Sequence, residues 1–139
     1  MRFFYLLTIF LLIISCKSAP EGYIIQGKIN GLDHGTAILQ RRTEGDFQTI
    51  DSSSIVQGIF TFRGKIEDPE MFYIHVSDTL PYLRLFLENS DIRLEAHIDS
   101  LRNPAIHGSR CQDLLSSYNE RMQPFEARLQ ETYGAYRQA

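Results

Sequence analysis

Two cysteines and four histidines are the residues of this 139-residue chain best suited to nucleophilic or metal chemistry, and neither set is spaced for it. Cys16 and Cys111 are far apart and no Cys-x-x-Cys occurs, so the sequence holds no local dithiol pair. His34, His75, His97 and His107 fall in different segments, without the His-x-His or His-x3-His spacing that converges on a metal. Ser52-Ser53-Ser54 sits in a strand-like run that lacks a nucleophile elbow. Glu67, Asp68 and Glu70 surround Pro69, a composition that reads as a solvated turn rather than a paired acid and base. Arg41, Arg42 and Arg63 are candidates for a basic patch, but among 17 acidic residues such arginines ordinarily solvate a surface. We expect no catalytic residue, no metal and no cofactor.

Cys16 is different, because it ends an apolar run. Arg2 is followed by apolar residues from Phe3 to Ile14, broken only by Thr8, and then by Ser15, the layout of a secretory signal. A span needs about 20 apolar residues to cross the hydrocarbon core, more than this run offers. A core helix would show a polar stripe, and none is visible. Ile13-Ile14-Ser15-Cys16 resembles the bacterial lipobox, in which a small residue precedes a cysteine that is acylated and becomes the new N-terminus. The expectation is that residues 1–15 are removed and Cys16 is the lipid attachment point; an ordinary cleaved signal or an uncleaved anchor are the alternatives. One acyl chain anchors only marginally, so stable attachment takes the two or three chains that the lipobox resemblance implies.

Removing that segment changes the composition. Twelve of the first fifteen residues are hydrophobic and inflate the 43% of the whole chain. The remaining 124 residues suit a single domain, and the net charge moves from −3 to −4 as Arg2 leaves. Mild acidity argues against a nucleic-acid partner, which leaves a basic footprint. With Cys16 acylated, Cys111 has no partner for an intramolecular disulfide. It falls in the first turn of an expected helix, where the dipole favours thiolate, which makes it a candidate reactive thiol; the plainer reading is a small residue tucked against the domain.

The elements that would position these residues are short strands followed by a helix. Seven strand-like runs, from "GYIIQGKIN" to "IRLEAHI", are separated by turn chemistry such as "TEGD", Gln57-Gly58, "EDPE" and "NSD". Alternation is clearest in the last run, with Ile92, Leu94, Ala96 and Ile98 on one face and Arg93, Glu95, His97 and Asp99 on the other. The fold expected is mainly β, an antiparallel sandwich or barrel of about seven strands over residues 22–108, after a lipidated linker at 16–21. Over 109–139 the pattern becomes helical. Ser109 and Gln112 have the form of a capping box, and Leu115, Tyr118, Met122, Phe125, Leu129, Tyr133 and Tyr136 recur on one face. Pro124 lies inside that pattern and should bend or divide the helix. The helix is long for one small domain, so the face from Tyr118 to Tyr136 is a candidate interaction surface, the alternative being a tail that folds back onto the domain.

The segments "GIFTFRGKIEDPEMFYIHV" (58–76), "LFLENSDIRLEAHID" (85–99) and "IHGSRCQDLLSSYNE" (106–120), with the opening "YIIQGKINGL", resemble the domain of unknown function 4369. That resemblance implies a lipidated β-rich module of Bacteroides-type envelope proteins, usually standing ahead of a thioredoxin-like domain. It supplies no catalytic residues inside the β module, and the redox motif of the neighbouring domain is not in this sequence. Two readings follow. One is a non-enzymatic envelope lipoprotein whose β module binds or spaces a partner. The other is the N-terminal accessory part of a tethered thiol:disulfide oxidoreductase. The partners implied are a membrane through the lipid, and either a thioredoxin-like protein or a second copy through the helix. Lys17 and the lack of an acidic run after Cys16 lean the location towards the periplasmic face of the outer membrane.

Overall fold

The computed structural model describes residues 20–138. Period-two alternation dictates the strands. β1 (Tyr23–Asn30) turns Tyr23, Ile25 and Ile29 inward and leaves Gln26 and Lys28 in water. β2 (His34–Thr43) and β3 (Asp46–Val56) form a long hairpin whose outer half stands clear of the core. β4 (Ile59–Gly64) and β5 (Glu70–His75) supply Phe60, Phe62 and Phe72, the largest fully buried side chains. β6 (Leu83–Leu87) and β7 (Asp91–His97) add Leu83, Leu85, Leu87, Ile92 and Leu94. Each such side chain is worth about 1.5–3 kcal/mol when fully buried.

Two hairpins close on two-residue turns of the I′ kind, which require positive φ at both positions. Glu44 and Gly45 have φ of 54° and 101°, and Gln57 and Gly58 have 52° and 78°. Gly58 is also a close approach, since a Cβ there would lie 2.5 Å from the Ile29 carbonyl oxygen.

The described residues form eight strands rather than about seven. β8 (Ala105–His107) follows a 3₁₀ turn at Ile98–Ser100 and pairs antiparallel with β7. All eight belong to one sheet in the order β6-β5-β2-β3-β4-β1-β7-β8. The pairing is not wholly antiparallel. β1 and β7 run parallel, with Ile25 opposite Ile92, Gly27 opposite Leu94 and Ile29 opposite Ala96.

Chain connectivity explains the shape. β6 is one edge of the sheet and β7 lies next to the other edge, yet only three residues, Glu88 to Ser90, separate them. A link that short spans at most about 14 Å, so the two ends of the sheet must curl towards each other into a nearly closed barrel. Asn89 fastens the crossing: its side chain accepts from the Ile66 amide at 3.0 Å and donates to the Ile66 carbonyl at 2.7 Å.

After Gly108, α1 (Arg110–Gln138) runs for 29 residues, about 43 Å at 1.5 Å per residue. Pro124 does not divide it. The proline removes one donor, and Glu120, whose carbonyl loses that donor, is exposed so that water can replace it.

Candidate functional site

The seam left by the incomplete barrel is where α1 begins. β6 is an edge strand, and an edge carries backbone groups that need partners. At Phe86 those partners come from the helix: the Ser109 hydroxyl donates to its carbonyl at 3.0 Å, and the Gln112 side-chain oxygen accepts from its amide at 2.9 Å. Ser109 is fully buried and also caps the helix, its hydroxyl oxygen accepting from the Gln112 amide at 3.1 Å. The expected capping box is therefore half formed. Gln112 turns to the open strand edge instead of reaching back to Ser109.

The second capping role falls to Glu88, in the crossing between β6 and β7. Its carboxylate accepts from the Arg110 amide and, at 3.2 Å, from the Cys111 amide, so a negative charge meets the positive end of the helix dipole. Its other oxygen lies 3.3 Å from the Cys111 sulfur. Burial alone would raise the Glu88 carboxyl. The hydrogen bonds from the Cys111 thiol and amide and from the Arg110 amide outweigh it and hold the group below the usual carboxylate range. Cys111 moves the opposite way: burial first, then the hydrogen bond to Glu88 and its charge, raise the thiol, against a smaller lowering from Arg110. The helix start that would favour thiolate is already occupied by a carboxylate. This is the environment of a thiol kept protonated.

Beyond this docked turn the helix leaves the barrel. Leu115 is half-buried and, with Gln112 and Asn119, lines a cleft of about 470 Å³ against Arg84, Arg102 and Asn103. The lining offers two guanidinium groups and three amides and no carboxylate. From Tyr118 onward the apolar face is open. Tyr118, Phe125, Leu129 and Tyr133 are each more than half exposed, Tyr136 is 82% exposed, and Met122 is half-buried. The tail does not fold back onto the barrel.

The remaining candidates are dispersed. Cys16 lies outside the described residues. Arg41 is turned to Glu70 at 3.4 Å and to Gln48 at 3.1 Å, while Arg42 holds the Gly45 carbonyl at 3.2 Å, so neither joins Arg63 in a patch. His97 caps the 3₁₀ turn, accepting from the Asp99 amide at 3.2 Å. His75 belongs to an aromatic cluster on the outer face of β5, with Phe47, Tyr73 and Tyr82 at ring-centroid separations of 5.1 to 5.7 Å. Burial lowers the His75 pKa, and Asp78 partly opposes the shift. This cluster pins the projecting β2–β3 hairpin to β5 and to Tyr82, the residue before β6. Sequence reasoning missed it and Glu88 alike, because Phe47 lies 26 or more residues from its ring partners, Glu88 lies 22 from Arg110, and neither set shares a local motif.

Barrel, plugged seam and projecting helix together define a β-rich module with one free helical arm. The chain belongs to the family described as Domain of unknown function (DUF4369), which matches residues 23–115. The match covers the barrel and the docked turn and ends at Leu115, where the helix departs. No curated protein and no solved structure matches the chain.

Proposed function

We propose that the protein is a non-enzymatic lipoprotein of the cell envelope, held by acyl chains on Cys16, whose barrel is a rigid platform for an interaction made through α1. The observation that carries this reading is the contrast within the helix. Its first turn is tied to Phe86 of β6 by two side-chain hydrogen bonds, from Ser109 and Gln112, and is capped by Glu88, whereas on its apolar face from Tyr118 to Tyr136 every residue but Met122 is more than half exposed. The barrel core is complete without that face. Lipid attachment suits the apolar run that ends at Ile13-Ile14-Ser15-Cys16, and among the described residues no helix is long and apolar enough to cross a membrane. We place it on the periplasmic face of the outer membrane. Fatty-acid labelling of the native chain and of Cys16→Ala tests the anchor. Label on the first and none on the second is expected; equal label on both removes the lipoprotein reading.

A second reading is favoured by the same open face together with the family resemblance: the barrel as accessory part of a tethered thiol:disulfide oxidoreductase, the arm meeting a thioredoxin-like partner. A Cys-x-x-Cys module encoded directly downstream or in an adjacent gene would support it.

A further inference from the structure

Tyr118, Met122, Phe125, Leu129 and Tyr136 of α1 fit a heptad seam, the pattern of a coiled coil, once polar Thr132 fills the one remaining seam position and Tyr133 falls beside it. Tyr118, Met122, Phe125, Leu129, Thr132 and Tyr136 take the d and a positions in turn. The outward positions b, c and f carry Glu120, Gln123, Pro124, Ala127, Gln130, Glu131 and Gly134, none of them a large apolar residue. Pro124 therefore stands on the side away from the seam, and its ring does not intrude on a partner there.

The flanking charges select the partner. Arg121 and Arg128 occupy g positions and Glu126 an e position. In a parallel pair, each g side chain faces the e′ side chain five residues later in the other helix, so Arg121 meets Glu126 of the second copy, and the two-fold axis makes the contact twice. Arg128 meets the ring of Tyr133, a cation over an aromatic face. An antiparallel pair of the same helices would set g against g′ and e against e′, placing arginine near arginine and glutamate near glutamate. Within one copy Arg121 and Glu126 are five residues apart, off the three- and four-residue spacing at which side chains meet on a helix. Neither has an ion-pair partner among the described residues. Charges left unpaired in one copy are thus paired by a second one in a single orientation.

We propose that α1 joins two copies of this protein as a parallel coiled coil running from Tyr118 to Tyr136, with Arg121 and Glu126 setting the orientation. The proposal rests on the reading of α1 as an interaction arm. Parallel alignment leaves both barrels at the same end of the coil, as two copies anchored in one membrane require. Tyrosine, methionine, phenylalanine and threonine make a less tightly packed seam than leucine and isoleucine, so the pair exchanges rather than locks.

Symmetric disulfide formation in the full chain, expressed in bacterial envelopes and treated with a mild oxidant, tests it. The background is Cys111→Ser, which alone reports any disulfide made through Cys16. In a parallel coil each a residue faces its own copy, so Met122→Cys and Leu129→Cys should each give a disulfide-linked dimer, and the outward Gln123→Cys should give none above background. Arg121→Glu and Glu126→Arg, each placed in the Leu129→Cys chain, should lower the dimer yield several-fold, and co-expressing the two should restore it. Dimer only when Met122→Cys and Thr132→Cys are combined means an antiparallel pair and overturns the proposal. Equal yields at Met122→Cys and Gln123→Cys, or no dimer anywhere, also overturn it. In that event, continued labelling of Cys16 leaves the lipoprotein reading standing, whereas loss of both labelling and pairing removes the two together.

Discussion

The inner face of the barrel and the outer length of α1 are built from similar material and meet opposite fates. Phe60, Phe62 and Phe72 alternate along strands and are sealed inside a curled sheet, while Tyr118, Phe125 and Leu129 recur along a helix and stand in water. Periodicity states that a face is apolar and which way it points. What covers the face depends on reach. The strands lie within a few ångströms of their neighbours, whereas a helix about 43 Å long outruns a barrel that meets it only as far as Asn119. An apolar face left open after folding is the surface on which the proposed interaction would be made.

The contrast is broken most sharply by truncating one aromatic on each side of it. Phe62→Ala should cost about 3–5 kcal/mol of barrel stability, as removal of a fully buried phenylalanine does. Phe125→Ala should change the same unfolding free energy by no more than about 0.5 kcal/mol under dilute conditions, the range of a surface substitution. Urea unfolding of both variants reads the difference. Comparable losses would mean that the arm is part of the core.

The junction between the two regions carries an intermediate effect. Glu88→Gln keeps the shape of the cap and removes its charge, and should cost about 1 kcal/mol, within the range of helix caps. The native carboxyl lies below its ordinary value, so its contribution is complete above the unfolded pKa of about 4.3 and is lost as pH falls through the lower folded pKa. The acid limb of the stability profile should therefore be shallower in Glu88→Gln.

His75 gives a smaller effect at higher pH. Burial holds its folded pKa below the unfolded value of about 6.5, so the folded chain binds fewer protons there and stability declines as pH drops below that value. Replacing it with phenylalanine should remove this part of the slope while keeping a ring in contact with Phe47 and Tyr82. Thermal unfolding between pH 7 and pH 5 checks the outcome; an unchanged slope would assign the decline to other groups. Last comes Cys111, whose alkylation at neutral pH should be slower than that of a free thiol and should accelerate in Glu88→Gln, where the raising charge is gone.

Much of the fold was legible in the chain. Alternation marked seven strands, and Glu44-Gly45 and Gln57-Gly58 marked two of the hairpins. β8 was not, since Ala105, Ile106 and His107 are too few to display a period. The parallel pairing of β1 with β7 follows from closure of the barrel, a property of the whole sheet that no single strand encodes. At the helix start Ser109 could be read as the cap because its partner amide is three residues away. Glu88 could not, because it reaches Arg110 across 22 positions and only the three-residue crossing of the seam brings it there. The exposed arm was visible as an apolar face of unusual length, but whether that face is docked or free depends on how far the barrel extends.

Cutting the chain after Asn119 tests the division between platform and arm most directly, because it keeps Ser109, Gln112, Leu115 and Asn119 at the seam and removes Glu120 onward, with all of the open face but Tyr118. At concentrations where both chains are monomeric, the thermal midpoint of the shortened chain should lie within about 4 °C of the full one, a difference of under about 1 kcal/mol for a domain of this size. A fall of more than about 10 °C, several kcal/mol on the same scale, would show that the arm completes the core and would contradict the account.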